Sequence, residues 1–371
     1  SNRGTASVPL TFLLSPSRYI AYQHQERKFY IVSFQKTSSD EKDVRDTVVK
    51  EGEELKERLT KAIDLQRVQN YQEKQIDAKQ AQRPTLFARK SSKQYEEDIA
   101  KCLEYIKEGE TYEVCLTVQF HGTASSSPRN SSRNTLEIYR KLREFNPAPY
   151  SAYLSSNQFA VCCTSPEQYL KLTKDMIISS KPIKGTSKRD LTDPLHDHQL
   201  ALRLQQDEKS QAENLMIVDL VRNDLGRVCE VGTVTVPSLM NVESYATVHQ
   251  LVSTIQGNLS SNYNIIDAIM HTFPGGSMTG APKLRTMEII EELEQQPRGI
   301  YSGTMGFIGS NGVADLNIII RTAVVNGDQI TIGAGGAIVA QSNPKEEMEE
   351  VLLKAKAVGN ALGYNVEFSS D

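Results

Sequence analysis

Tryptophan is absent from the 371 residues, and histidine occurs only six times and cysteine five. The cysteines (Cys102, Cys115, Cys162, Cys163, Cys229) are scattered, odd in number and without CxxC spacing. That pattern argues against a disulfide framework and a thiolate metal site, and a reducing, cytoplasmic setting is the expectation. No apolar run approaches the roughly 20 residues that span a bilayer. The opening SNRGTASVPL lacks a charged segment leading into an apolar one, so no secretion signal is read there. Neither sign of charge dominates, with 42 Lys+Arg against 46 Asp+Glu. Without a basic stripe interleaved with aromatics, no nucleic-acid partner is expected.

What is present is enough apolar sequence, 39%, to bury one large core or two smaller ones. Residues 9–34 read as three short strands and 41–79 as one long charged helix, followed by a polar linker through AQRPT. SSKQYEEDIAKCLEYIKEGE reads as an amphipathic helix capped at Ser91 or Ser92. Residues 111–120 form a strand and 123–134 a loop. Beyond it come a helix (135–145), strands (150–154, 158–164, 168–173, 175–180) and a turn at KPIKGT. Helices at 195–206 and 208–222, strands at 228–236 and 246–256, and a helix near 263–271 follow. After the loop FPGGSMTGAPK and another helix, β-rich stretches cover 300–309, 313–325, 328–333 and 336–340, and a helix covers 344–362. Strands in runs, without strict βαβ alternation, predict an α+β fold with largely antiparallel sheets. The polar linker separates a region over 1–80 from a larger domain over 90–371.

Several charges sit where folds avoid them. In QAENLMIVDLVRNDLG, Leu215, Met216, Val218, Leu220 and Val221 make an almost wholly apolar helix from which Glu213 and Asp219 project. A buried carboxylate must be paired, protonated or metal-bound. Pairing with Arg222 or Arg227 is the plain alternative to a functional role. On the last helix Glu347 and Glu350 are one turn apart, with Lys354 four residues after Glu350. That is either an ordinary pair worth a few tenths of a kcal/mol or an acidic edge suited to Mg²⁺. FPGGSMTGAPK fails the Walker A spacing but puts Gly275, Gly276, Ser277 and Thr279 before a helix. GAGGAIV lacks the dinucleotide fingerprint. Arg321 ends an apolar run and wants a carboxylate. His196 and His198 read as loop residues without a third metal ligand. KPIKGTSK puts Lys184 between two other lysines, which by itself suggests a solvated charge.

The motifs SPEQYL, PIKGT, AENLMIVDLVRNDLG, VHQLVS, FPGGSMTGAPK, GIYSGTMGF, IRTA, GAGGAIV and KEEMEEVLLKAKA occur in this order, within a match that covers about residues 90–365. Together they resemble the chorismate-utilising enzymes, which include anthranilate, isochorismate, salicylate and aminodeoxychorismate synthases. The resemblance implies an anthranilate-synthase-like sandwich of two large, mostly antiparallel sheets with peripheral helices. Lys184 of PIKGT, where anthranilate and isochorismate synthases usually carry Ala, matches the aminodeoxychorismate synthase component I branch, and TYEVCLT resembles its plant and fungal versions. That branch converts chorismate and ammonia to 4-amino-4-deoxychorismate for p-aminobenzoate and folate. The lysine attacks C2 and expels the C4 hydroxyl; ammonia then attacks C4 and expels the lysine. This requires Lys184 neutral, well below its ordinary ~10.4. Glu167 matches the general acid, and Glu213 and Glu350 the Mg²⁺ ligands. Tyr301, Arg321 and the Gly335 amide match groups holding the enolpyruvyl carboxylate. Thr186, Ser277 and Lys354 match further substrate-binding positions.

Three departures stand out. Gln250 of VHQLVS replaces a histidine linked to pyruvate loss in anthranilate synthases. Much of the family's N-terminal region has no counterpart, and no amidotransferase motif is found. Ammonia is therefore expected from a glutamine amidotransferase subunit or domain. The alternatives are an anthranilate synthase component I, disfavoured by Lys184, and a non-catalytic amidotransferase-binding paralogue.

Overall fold

The computed structural model describes residues 11–33 apart from 17, helical residues within 49–61, and residues 83–123 and 132–370. Thr11–Gln82 form one compact unit, and Arg83–Asp371 belong to another, larger one. In the smaller unit β1 (Arg18–Gln23) and β2 (Lys28–Ser33) make an antiparallel hairpin. Two strands form where three were expected; residues 11–16 have no regular structure. Most of the long helix expected over 41–79 lies outside the described residues.

The larger unit holds two sheets. One has the order β17 (Asn365–Ser369), β3 (Thr85–Ser91), β4 (Glu113–Thr123), β16 (Gln329–Ile338), β15 (Thr322–Asn326), β6 (Phe159–Ser165), β5 (Tyr150–Ser155), with β12 (Gly280–Ala281) also pairing β4. The other runs β10 (Thr235–Ser244), β11 (Val248–Asn258), β8 (Ile177–Lys181), β7 (Gln168–Leu172), β14 (Ala314–Ile318), β13 (Thr304–Ile308), with β9 (Ile183–Lys188) paired to β11. The pairs are antiparallel except β17 with β3, so the α+β expectation holds. The helices are α1 (Ser92–Lys107), α2 (Ser132–Phe145), α3 (Pro194–Gln206), α4 (Glu208–Gly226), α5 (Ile265–Thr272), α6 (Lys283–Glu294) and α7 (Pro344–Ala361). Ser91 caps α1 in a reciprocal capping box with Gln94, as the S-x-x-Q spacing dictates.

Strand alternation sorts β4 into two faces. Val114, Leu116, Val118 and Phe120 join a core with Tyr95 and Ile99 of α1, Ile289 of α6 and Val351 of α7. Cys115, on the opposite face, joins a second core with Tyr169, Leu170, Ile217, Val221 and Ala268. Glu113 shares the Cys115 face and is fully buried. That face is where the site forms.

Several elements differ from the sequence expectation. KPIKGT is not a turn: β9 runs through it against β11, accommodated by a register shift between Gln250 and Val252. Gly185 had suggested the turn. It does have φ +88°, but inside the strand, where a Cβ would lie 2.6 Å from Ser210 Oγ of α4. The strand expected at 228–236 begins only at Thr235. TLFARK and NVEFS, assigned to no element, are β3 and β17, which pair in parallel, with β3 also paired to β4. The stretch 313–325 breaks into β14 and β15, which belong to different sheets, while 328–333 and 336–340 fuse into β16. Nor is α4 apolar all round, since Leu215 and Asp219 are exposed.

Gly280 has φ +143°, and a Cβ there would sit 1.9 Å from the carbonyl oxygen of Glu113. β12 can therefore lie against β4 only with glycine at this position. Gly280→Ala is expected to lower the unfolding free energy by about 2 kcal/mol or more, read from the shift in urea midpoint.

Candidate active site between the two sheets

Two chain crossings between the sheets organise the site. Glu167 lies where the chain leaves β6 for β7, and Arg321 where it leaves β14 for β15. The crossings are hydrogen-bonded side by side: Ile318 N donates to Glu167 O at 3.1 Å and Thr164 N to Arg321 O at 3.2 Å. Arg321 takes φ 48°, an uncommon conformation for a non-glycine residue and one that active sites tolerate. Its guanidinium has no carboxylate partner among the described residues, so the structural ion pair considered from sequence does not form. Burial pushes the Arg321 pKa down, partly offset by Tyr301 nearby. An unpaired, desolvated cation is a ready anion receptor.

Lys184 is the deepest cation of the site. Its Nζ donates to Glu113 Oε1 at 2.7 Å, with side-chain exposures of 10% and 0%. Burial alone would depress its pKa, but Glu113 and then Glu213 reverse the sign, and the net shift is upward. The expectation that Lys184 rests as a neutral amine is thus corrected: an adjacent buried carboxylate holds it as ammonium. Glu167, 5% exposed, behaves oppositely. Burial raises its carboxyl to about 7, against the lowering effects of a Ser277 hydrogen bond and of Lys184. It borders a small, partly open cavity also lined by Gly275, Gly276, Ser277 and Asp224.

The acidic edge comes from α4 and α7. Glu213 does not pair with Arg222, which instead binds Asp219 at 3.1 Å, nor with Arg227. Its nearest cation is Lys209 at 4.0 Å, and Lys209 itself binds Glu347 at 2.8 Å. Burial raises the Glu213 pKa, with Lys184 opposing. Glu350 pairs with Lys354 at 2.7 Å, the ordinary i,i+4 geometry; that lysine overcomes the effect of burial and holds Glu350 below the usual range. Lys354 Nζ also donates to Gly335 O at 3.1 Å. β15 pairs with β16 only as far as Ile332, which leaves one backbone edge around Gly335 without a strand partner among the described strands. Tyr301 lies close enough to Arg321 and Glu167 to feel both charges, and burial raises its hydroxyl. Thr186 joins by alternation, two residues along β9 from Lys184 and backbone-paired with Gln250. Gln250 is buried, and its Oε1 has no hydrogen-bond partner among the described residues.

Among the described residues no three metal-capable side chains converge into a preassembled centre. The donor set nevertheless suits a hard cation. Glu213 and Glu350 offer oxygen donors only, and the ammonium groups of Lys209, paired with Glu347, and of Lys354, paired with Glu350, already neutralise this edge. His196 and His198 lie on α3, not in a loop; His196 binds Asp190 at 2.9 Å. Sequence reading missed Glu113 and Lys209. The signal for Glu113 was a lone charge in the otherwise apolar run EVCLTV.

Comparison with known proteins fits this geometry. The family model described as chorismate binding enzyme matches residues 2–360. A probable aminodeoxychorismate synthase, chloroplastic, of Oryza sativa subsp. japonica is 54% identical over 270 residues, 72% of this chain and 29% of that protein. The aminodeoxychorismate synthase, chloroplastic, of Arabidopsis thaliana is 43% identical over 375 residues, 100% of this chain and 39% of that protein. The chain thus spans well under half the length of these curated relatives. The crystal structure of anthranilate synthase component I from Streptococcus pneumoniae TIGR4 superposes with TM-score 0.74 at 27% identity, covering 92% of this chain and 72% of that one. The sandwich expected from sequence is the one observed, and the chain belongs to the chorismate binding enzyme family.

Proposed function

We propose that this chain converts chorismate and ammonia to 4-amino-4-deoxychorismate, with Lys184 as a transient covalent nucleophile, in the route to p-aminobenzoate and folate. The observation that carries this reading is the buried Lys184 ammonium at the centre of the site, ringed by Glu113, Glu167 and Glu213. The names of the plant relatives agree with it. An anthranilate synthase has no evident use for a lysine here. The ammonia comes from a glutamine amidotransferase subunit or domain. Five buried free thiols suit a reducing compartment.

Each side chain has a task that its surroundings favour. Arg321, Tyr301 and the free edge at Gly335 receive the enolpyruvyl carboxylate, with Thr186, Ser277 and Lys354 completing the pocket. Glu213 and Glu350 hold Mg²⁺, which supplies charge neutralisation for the ring carboxylate. The Lys184 amine adds to C2 while Glu167 protonates the departing C4 hydroxyl, which leaves as water. Ammonia then adds to C4, and the C2–N bond to Lys184 breaks. Splitting one displacement into two keeps the configuration at C4. A carboxyl near 7 is about half protonated at neutral pH, where an ordinary carboxyl is almost wholly ionised, and so can act as the acid.

Lys184→Ala is expected to cut aminodeoxychorismate formation by about 10³-fold, some 4 kcal/mol in barrier. Chorismate binding should persist, and residual reaction should shift to C2 addition of water or ammonia. Product chromatography checks this, and undiminished synthesis would return Lys184 to the solvated charges.

EDTA should stop turnover, and Glu213→Gln or Glu350→Gln should weaken Mg²⁺ binding at least about tenfold, measured by calorimetry. Full activity in excess chelator refutes the metal assignment.

Because Glu167 must be protonated, chorismate consumption at fixed free ammonia should fall as pH rises through about 7. Glu167→Gln should remove that limb together with most of the rate. A rate that climbs through the same interval would assign the acid to another group.

A further inference from the structure

Lys184 must lose a proton before its nitrogen can attack, yet the site holds it as ammonium. The groups facing it are Glu113 and Cys115 of β4, Glu213 of α4, Glu167 between β6 and β7, and, at longer range, Glu350 of α7. Burial raises the Cys115 thiol, which is therefore neutral. Glu167 is needed as an acid. Glu213 and Glu350 face the cation edge. Only Glu113 accepts a hydrogen bond from Nζ among the described residues, at 2.7 Å.

We propose that Glu113 is the proton acceptor that frees the Lys184 amine and stores its proton while the lysine is bonded to the ring. The inference rests on the reading of Lys184 as nucleophile. Glu113 has the required features. It is fully buried, so the proton moves along a short bond without entering solvent. Its Oε2 has no hydrogen-bond partner among the described residues, so this oxygen is open to hold a proton while Oε1 faces Nζ. Its backbone is paired with Ala281 of β12, and the next residue, Val114, is held by β16 on one side and Gly280 of β12 on the other. The protons balance. Lys184-NH₃⁺ and Glu113 carboxylate become the amine and the carboxylic acid. The amine adds to C2 as the C4–O bond breaks, giving a secondary ammonium on C2, and the hydroxyl leaves as water with the proton of Glu167. When ammonia adds to C4, the C2–N bond breaks, Lys184 departs as neutral amine and takes back the proton stored on Glu113, and the new C4 ammonium gives one proton to the Glu167 carboxylate, which restores the acid.

The test follows covalent adduct formation by intact mass, with chorismate and Mg²⁺ but no ammonia, in weak buffer containing a pH indicator. In the native enzyme the Lys184–Glu113 pair should release no proton. Glu113→Gln, which keeps a hydrogen-bond acceptor but cannot take the proton, should release one more proton per adduct than the native enzyme. It should form adduct at least about tenfold more slowly at pH 6, with the gap closing as pH rises. Glu113→Asp should release none, which carries the test if the glutamine variant does not fold. Equal rates and equal proton counts for native and Glu113→Gln enzymes at every pH overturn the proposal, as does proton release by Glu113→Asp. An adduct that persists in Lys184→Ala, or none in the native enzyme, instead removes the nucleophile reading beneath it.

Discussion

Lys184 and Glu113 form an ion pair that crosses the gap between the two sheets, one partner on β9 and the other on β4. Both charges are taken out of water, which costs several kcal/mol for each ion before their attraction is counted. Such a pair persists only where the surrounding fold holds both partners in register. Here that register is set by β11 opposite β9, and by β16 and β12 on either side of β4. An apolar pair of similar volume would hold the sheets together with less desolvation. The charges therefore point to chemistry at this place.

The rest of the site depends on the same gap. The two crossings between sheets put Glu167 and Arg321 at its side, because a chain passing from one sheet to another leaves regular pairing and frees its side chains and backbone for other contacts. Neighbouring groups then receive opposite treatment. Glu167 is desolvated with no adjoining full cation bonded to it and is pushed toward the protonated form. Lys184 is equally desolvated but touches a carboxylate and stays charged. An acid and a masked nucleophile can thus coexist a short distance apart.

Much of this was legible in the sequence. Helical periodicity located α1, with its serine cap, and α7. Runs of strands without regular helical crossovers gave the α+β class. Charges inside apolar segments marked Glu213, Arg321 and the Glu350 edge as unusual, because burying a charge is expensive wherever it occurs. Motif order added Lys184 and Glu167, which spacing alone would have left among surface charges.

Tertiary structure decided what local patterns cannot encode. β17 is an edge strand whose partner β3 lies at the opposite end of the larger unit's sequence, and β3 is held between β17 and β4, so neither pairing is visible in a local pattern. KPIKGT contains the residues of a turn, and only the bulged partner β11 makes it a strand. The break at Arg321 divides one apolar run between two sheets, a choice that depends on which neighbours are available on each side. The charge state of Lys184 follows the same logic. Residue type and burial argue for a neutral amine, and the opposite sign comes from Glu113, 71 positions away in sequence and 2.7 Å away in space.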